Sequence, residues 1–165
     1  LRPFNAFGPY QSPRAIIAEM IIKCLKGEDI VTTPGIQTRD FNYIENLVDG
    51  FMAASIEEAA IGEVINVGSG EEISIEKLVR NIHHMTGERS KLFIGKLDYR
   101  PTEIWRMYAN HDKATQVLHW TPRFSLHEGL KKTIAWYEHF ITLFDEEGSF
   151  LKKLCQTEIH DSSFK

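Results

Sequence analysis

The chain has 165 residues, 42% hydrophobic and 25% charged, the composition of a soluble globular protein with room for one ordinary core. Nineteen basic against 23 acidic residues leave a net charge of -4. That balance excludes the basic excess of a nucleic-acid or anionic-membrane surface, and no apolar run is long enough to span a bilayer.

Residues 1–9 (L-R-P-F-N-A-F-G-P) read as a strand, residues 1–4, running directly into a Pro/Gly turn. Ser12 and Pro13 are expected to open a helix as N-cap and first-turn residue, with Ile16, Ile17, Met20, Ile21, Cys24 and Leu25 as its buried stripe and Gly27 as its stop. Residues 30–33 form a short strand closed by the Pro34-Gly35 turn, and residues 39–43 a second extended piece. A helix from about Glu45 places Leu47, Val48, Phe51, Met52 and Ile56 on one face and ends before Gly62. Residues 63–67 (E-V-I-N-V) read as a buried parallel strand like residues 1–4, followed by the turn Gly68-Ser69-Gly70.

Ser74 caps the next helix, whose stripe is Ile75, Leu78, Val79, Ile82 and Met85. Residues 91–94 are a strand, and Asn110 caps a short helix through Leu118. Ser125 and Glu128 form a capping box for a last helix carrying Leu126, Leu130, Ile134, Tyr137, Ile141 and Phe144 inward. From residue 146 the chain is polar and weakly patterned, a tail outside a unit of residues 1–145. Strands alternating with helices give an α/β class, with strands too few and too separated to make a sheet of their own.

The residues that could carry chemistry are few. Asn5, before a Phe-Gly-Pro turn, either donates its amide to a phosphate or sugar oxygen or bonds its own backbone. Arg39, in Q-T-R-D-F-N-Y (37–43), has the planar fork that suits a diphosphate; it equally fits a surface residue stacked on Tyr43. Arg100 leads R-P-T-E (100–103), and Arg14 and Arg106 are weaker candidates with salt bridge or solvent as the alternative. The Gly68-Ser69-Gly70 turn lacks a third glycine and precedes Glu71 and Glu72, so it reads as structural rather than as a dinucleotide loop. The seven histidines show no ligand spacing. Cys24 falls on an apolar helix face and reads as a buried free thiol; with no visible targeting signal, a reducing cytoplasm is expected.

Taken together, three stretches resemble one family: the R-P-F-N-x-F-G-P-x-Q-S-x-R-A run of residues 2–15, the Q-x-R-D-F-x-Y segment of 37–43, and R-P-x-E (100–103) followed by N-H-D-K-A (110–114) and W-T-P (120–122). They are similar to the extended short-chain dehydrogenase/reductases that act on nucleotide sugars, the NAD-dependent epimerases and dehydratases, and most of all to the sugar-nucleotide 4,6-dehydratases. The resemblance implies the C-terminal, substrate-binding part of an extended Rossmann-type enzyme, without its N-terminal dinucleotide-binding core. It implies that Asn5, Arg39 and Arg100 hold the diphosphate of a nucleotide sugar, with Arg14 nearby, and that Pro3 and Phe4 lie near the nicotinamide ring of NAD.

The reaction implied is C4 oxidation of the sugar, loss of water across C5 and C6, and hydride return to C6; a 4-epimerase of the same family returns the hydride to C4. The family's G-x-x-G-x-x-G loop and Y-x-x-x-K pair are not in this sequence, so no catalytic residue is assigned and this chain alone is expected to be inactive. A homodimer is expected of the longer protein, and self-association of this part alone. A non-catalytic α/β binding module is the alternative. Two departures stand out: Thr32 sits where an aromatic near the nucleobase is usual, and Asn46 where Asp is common, which is expected to weaken a loop contact.

Overall fold

The computed structural model describes residues 1–141. In chain order its elements are β1 (Arg2–Pro3), β2 (Ala6–Phe7), α1 (Ile16–Lys26), β3 (Ile30–Thr32), β4 (Thr38–Arg39), β5 (Asn42–Tyr43), α2 (Ile44–Ile56) and a 3-10 turn (Glu58–Ala60). Then come β6 (Asn66–Val67), β7 (Ile73–Ser74), α3 (Ile75–Met85), β8 (Leu92–Ile94), β9 (Arg106–Met107), α4 (Asp112–Leu118) and α5 (Leu126–Phe140). The expected α/β class with short strands and packed helices holds. The expected tail from residue 146, Phe144 and Cys155 lie outside the described residues.

The strands pair in small sets because each is only two or three residues long. β1 runs parallel to β6, with Arg2 opposite Asn66 and Pro3 opposite Val67. β2 runs parallel to β5, and β3 to β8. In the three-stranded sheet, β4 lies between antiparallel β7 and parallel β9. The two strands read as buried members of a parallel sheet pair with each other, but only β6 is buried there: Val67 and the preceding Ile65 are sealed, whereas Arg2 and Pro3 are exposed.

Apolar stripes at helical spacing build the main core. Ile17, Met20, Ile21 and Cys24 of α1 meet Leu78, Val79 and Ile82 of α3 and Leu130, Ile134 and Tyr137 of α5. The α1 stop is as expected: Gly27 sits at φ 70°, and its N–H donates to Cys24 O at 3.1 Å while that of Glu28 reaches Lys23 O. The start is not. Helix geometry begins at Ile16 with Ala15 as N-cap, because residues 12–15 close a separate turn in which Ala15 N–H donates to Ser12 O. Likewise His111, not Asn110, is the N-cap of α4, although Asn110 Oδ1 still accepts from Asp112 N–H at 2.8 Å. The Ser74 cap and the Ser125–Glu128 capping box form as expected.

Helix α2 departs most from its pattern. Its buried residues are Asn46, Leu47 and Gly50, whereas Val48, Phe51, Met52 and Ile56 are at least half exposed. The reason is steric: Gly50 lets the helix approach Val67 and Trp120 of a second, smaller core, and Asn46 ties it to the 123–124 loop. Asn46 Oδ1 accepts from Arg123 and Phe124 N–H, and its amide donates to Phe124 O and Asn42 Oδ1, each at 2.9 Å. The expected weakening of a loop contact is therefore corrected: an amide both donates and accepts here, which a carboxylate cannot. Among the described residues no helix is long and apolar enough to cross a membrane.

Candidate nucleotide-sugar site

The site is organised by Asp40, a residue of the Q-T-R-D-F-N-Y segment to which no role is assigned from the sequence. Asp40 follows β4 and is fully buried. Its Oδ1 accepts from Ser69 N–H (3.0 Å) and Ser69 Oγ–H (2.6 Å), and its Oδ2 from Gly70 and Ala109 N–H (3.0 Å each). A buried carboxylate is tolerated only when its lone pairs are met by donors, and four meet this one. Asp40 thereby pins the 68–70 turn and the stretch between β9 and α4 to the end of β4. Gly68 is required by closeness rather than φ: a Cβ there would fall on Ala109 Cβ and 2.8 Å from Asp40 Oδ2.

Two of the predicted residues, Asn5 and Arg39, adjoin Asp40. Asn5 is half-buried, its amide donating to Asp40 O at 2.7 Å and its carbonyl accepting from Asn42 N–H at 3.2 Å. It thus bonds backbone 35 positions away rather than its own turn, with a second amide N–H left over. Arg39 is not stacked on Tyr43; Lys132 is the cation over that ring. Its Nη1 donates to Thr38 O (2.7 Å) and Ile104 O (2.6 Å), and its Nη2 pairs with Glu103 at 2.7 Å. Three of the five guanidinium N–H groups are so engaged, leaving Nε–H and one Nη2–H.

Glu103 belongs to the R-P-T-E segment, so the Arg39 ion pair anchors the loop that carries Arg100. Arg100 itself is exposed, three residues away. Arg14 is exposed in the turn before α1, and Arg106 is spent on Glu72 (2.6 Å) and the Tyr108 ring. Arg106 holds the Glu72 carboxyl below its ordinary range, first through the hydrogen bond it donates. Pro3 and Phe4 lie at the β1 edge, Pro3 exposed and Phe4 half-buried. Two cavities adjoin the Asp40 turn, about 260 Å³ between Glu72, Lys77 and His127 and about 510 Å³ between Gly70, Tyr108 and His111. Neither is lined by Asn5, Arg39 or Arg100.

The glycine turn does not fit a dinucleotide. The N–H groups of Ser69 and Gly70, which would cradle a pyrophosphate, already point at the Asp40 carboxylate, whose charge would repel it. Cys24 is a buried free thiol as expected, its pKa pushed up by burial. Among the described residues no three His, Cys, Asp or Glu side chains gather as a metal site.

The pattern characteristic of the GDP-mannose 4,6 dehydratase family matches residues 1–133. The chain belongs to the NAD-dependent nucleotide-sugar epimerase/dehydratase family. Among similar epimerase/dehydratase proteins, the uncharacterized UDP-glucose epimerase YtcB of Bacillus subtilis is 35% identical over 138 residues, 82% of this chain and 43% of the relative. The UDP-glucose 4-epimerase of Thermotoga maritima, solved with UDP-glucose, superposes with a TM-score of 0.78 at 26% identity over 85% of this chain and 45% of its own. The dTDP-glucose 4,6-dehydratase of Bacillus anthracis, solved with NAD, gives 0.72 at 25% identity over 84% of this chain and 43% of its own. The fold is that of Rossmann-type epimerase/dehydratases, and the chain spans less than half the length of these relatives.

Proposed function

We propose that this chain is the nucleotide-sugar-binding portion of an NAD-dependent sugar-nucleotide 4,6-dehydratase, with Asn5, Arg39 and Arg100 holding the diphosphate. The observation that carries it is the Arg39–Glu103 pair, which joins the two arginine-bearing segments from 64 positions apart. Glu103 neutralises Arg39 locally, so its part is to fix the guanidinium plane. The net attraction for a dianionic linker then comes from exposed Arg100 closing over it, while Arg39 offers its two remaining N–H groups and Asn5 its spare one. Arg14 stands at the rim.

The cofactor's pyrophosphate has no cradle among the described residues, so NAD is held elsewhere in the longer protein, with Pro3 and Phe4 bordering the nicotinamide. No hydride or proton step is assigned to the residues described, and this portion alone does not turn over. The longer protein is taken as a cytoplasmic homodimer. A second reading, 4-epimerisation, is favoured by the epimerase names of YtcB and the Thermotoga maritima protein.

The test is calorimetric titration of UDP-glucose and dTDP-glucose into the full-length protein. Arg39→Ala and Arg100→Ala are each expected to weaken binding about 10-fold or more, the loss typical of a charge-assisted contact. Unchanged affinity in both variants refutes the assignment. Product NMR on the same protein separates a 4-keto-6-deoxy sugar from a C4 epimer.

A further inference from the structure

The segment of residues 95–105 crosses the loop of residues 32–36 and is bonded to it. The N–H groups of Gly95, Lys96 and Leu97 donate to Thr32 O at 3.0–3.1 Å, and Ile36 N–H donates to Tyr99 Oη at 3.1 Å. The Tyr99 ring meets Trp105 edge-on, with centroids 4.8 Å apart at 67°. Trp105 is fixed by its backbone too, since its carbonyl accepts from Thr38 N–H at 2.9 Å. Next to it, Ile104 O accepts from Arg39.

This anchoring does not bury the indole. Trp105 is 53% exposed, while Trp120 and Trp136 are 4% and 2% exposed. Leu97 and Ile36, in the two crossing segments, are half or more exposed as well. A large aromatic held rigid from behind and left open in front is a stacking surface. It stands one residue from the carbonyl that bonds Arg39 and five from Arg100, so its ligand is planar, aromatic and joined to an anion. Thr32 presents no aromatic face on the opposing loop; its hydroxyl donates to Thr33 O at 2.9 Å.

We infer that Trp105, propped by Tyr99, is the stacking platform for the base of a nucleoside diphosphate whose phosphates lie on Arg39 and Arg100. This rests on the diphosphate reading above and adds the residue that grips the base. A stacking face grips any base, so the platform supplies affinity rather than base choice, and UDP and dTDP depend on it alike.

The test uses Trp105→Ala, Trp105→Phe and Arg39→Ala in the full-length protein, titrated calorimetrically with UDP and with inorganic pyrophosphate. Trp105→Ala is expected to weaken UDP about 10- to 100-fold, the range of base–aromatic stacking, and to leave pyrophosphate unchanged. Trp105→Phe restores most of the UDP affinity. UDP binding unaffected by Trp105→Ala overturns the platform, as does an equal loss for UDP and pyrophosphate. A loss seen only with UDP-glucose and not with UDP places the indole under the sugar and also overturns it. Failure of the diphosphate reading looks different: Arg39→Ala then leaves both ligands unchanged while Trp105→Ala still weakens UDP.

Discussion

Asp40→Ala is the most informative single change to the scaffold. It removes an acceptor used by three backbone N–H groups and one hydroxyl in a site with no solvent exposure. The Ser69 hydroxyl can turn to another acceptor; the N–H groups of Ser69, Gly70 and Ala109 cannot. Each buried donor left unmet costs about 1–3 kcal/mol, and water entering the space vacated by the carboxylate recovers part of it. The net loss is about 3–5 kcal/mol, a large share of the roughly 5–15 kcal/mol that holds a domain together. In urea, with an m-value of about 1–3 kcal/mol per molar, this lowers the midpoint by about 2 M at unchanged slope. Unfolding followed by the fluorescence of buried Trp120 and Trp136 reads it. Asp40→Asn keeps the shape and two of the four bonds, so it falls between parent and Asp40→Ala. A midpoint for Asp40→Ala within about 0.3 M of the parent, under the same m-value, refutes the idea that this carboxylate pins the site.

Gly68→Ala is expected to lose about 1–3 kcal/mol in the same assay, because its Cβ overlaps Ala109 and crowds Asp40; a neutral result shows that the turn yields. Burial, then the charge of Glu45 and the hydrogen bond donated to it, push the Tyr43 phenol up to about 12. Its contribution to stability is complete below the ordinary tyrosine range near 10 and is lost as pH rises from about 10 to about 12, at up to about 1.4 kcal/mol per unit. Tyr43→Phe flattens that fall, with buried Tyr137 retaining its own share; a pH–stability curve identical to the parent's refutes the assignment. The 165-residue chain on its own is expected to self-associate through Val48, Phe51, Met52 and Ile56 of α2, and Phe51→Glu with Met52→Glu to reduce it; light scattering showing a clean parent monomer contradicts this.

Local signals were legible in the sequence. Ser74, Ser125 with Glu128, and Gly27 cap their helices through bonds that span a few residues, and the Ile17–Cys24 stripe needs only helical periodicity. What escaped was set by distant partners. Asp40 reads as one more charge between Arg39 and Phe41 until residues 69, 70 and 109 bring their donors to it. Arg39 gave no sign that Glu103 would claim it, and the exposure of Trp105 follows from a loop crossing near Thr32 that no periodicity announces. The apolar face of α2 is legible in the sequence, but that Val48, Phe51, Met52 and Ile56 stay exposed is not, because Gly50 and Asn46 carry the packing of the helix. The motifs single out Asn5, Arg39 and Arg100, whereas Asp40, whose carboxylate ties residues 69, 70 and 109 to the end of β4, lies unread beside Arg39.

A crystal structure of the full-length protein with bound UDP-glucose tests the central claim most directly. The diphosphate oxygens are predicted to lie within about 3.2 Å of Arg39, Arg100 and the Asn5 amide. A diphosphate bound elsewhere, with Arg39 still engaged only by Glu103, Thr38 O and Ile104 O, contradicts it.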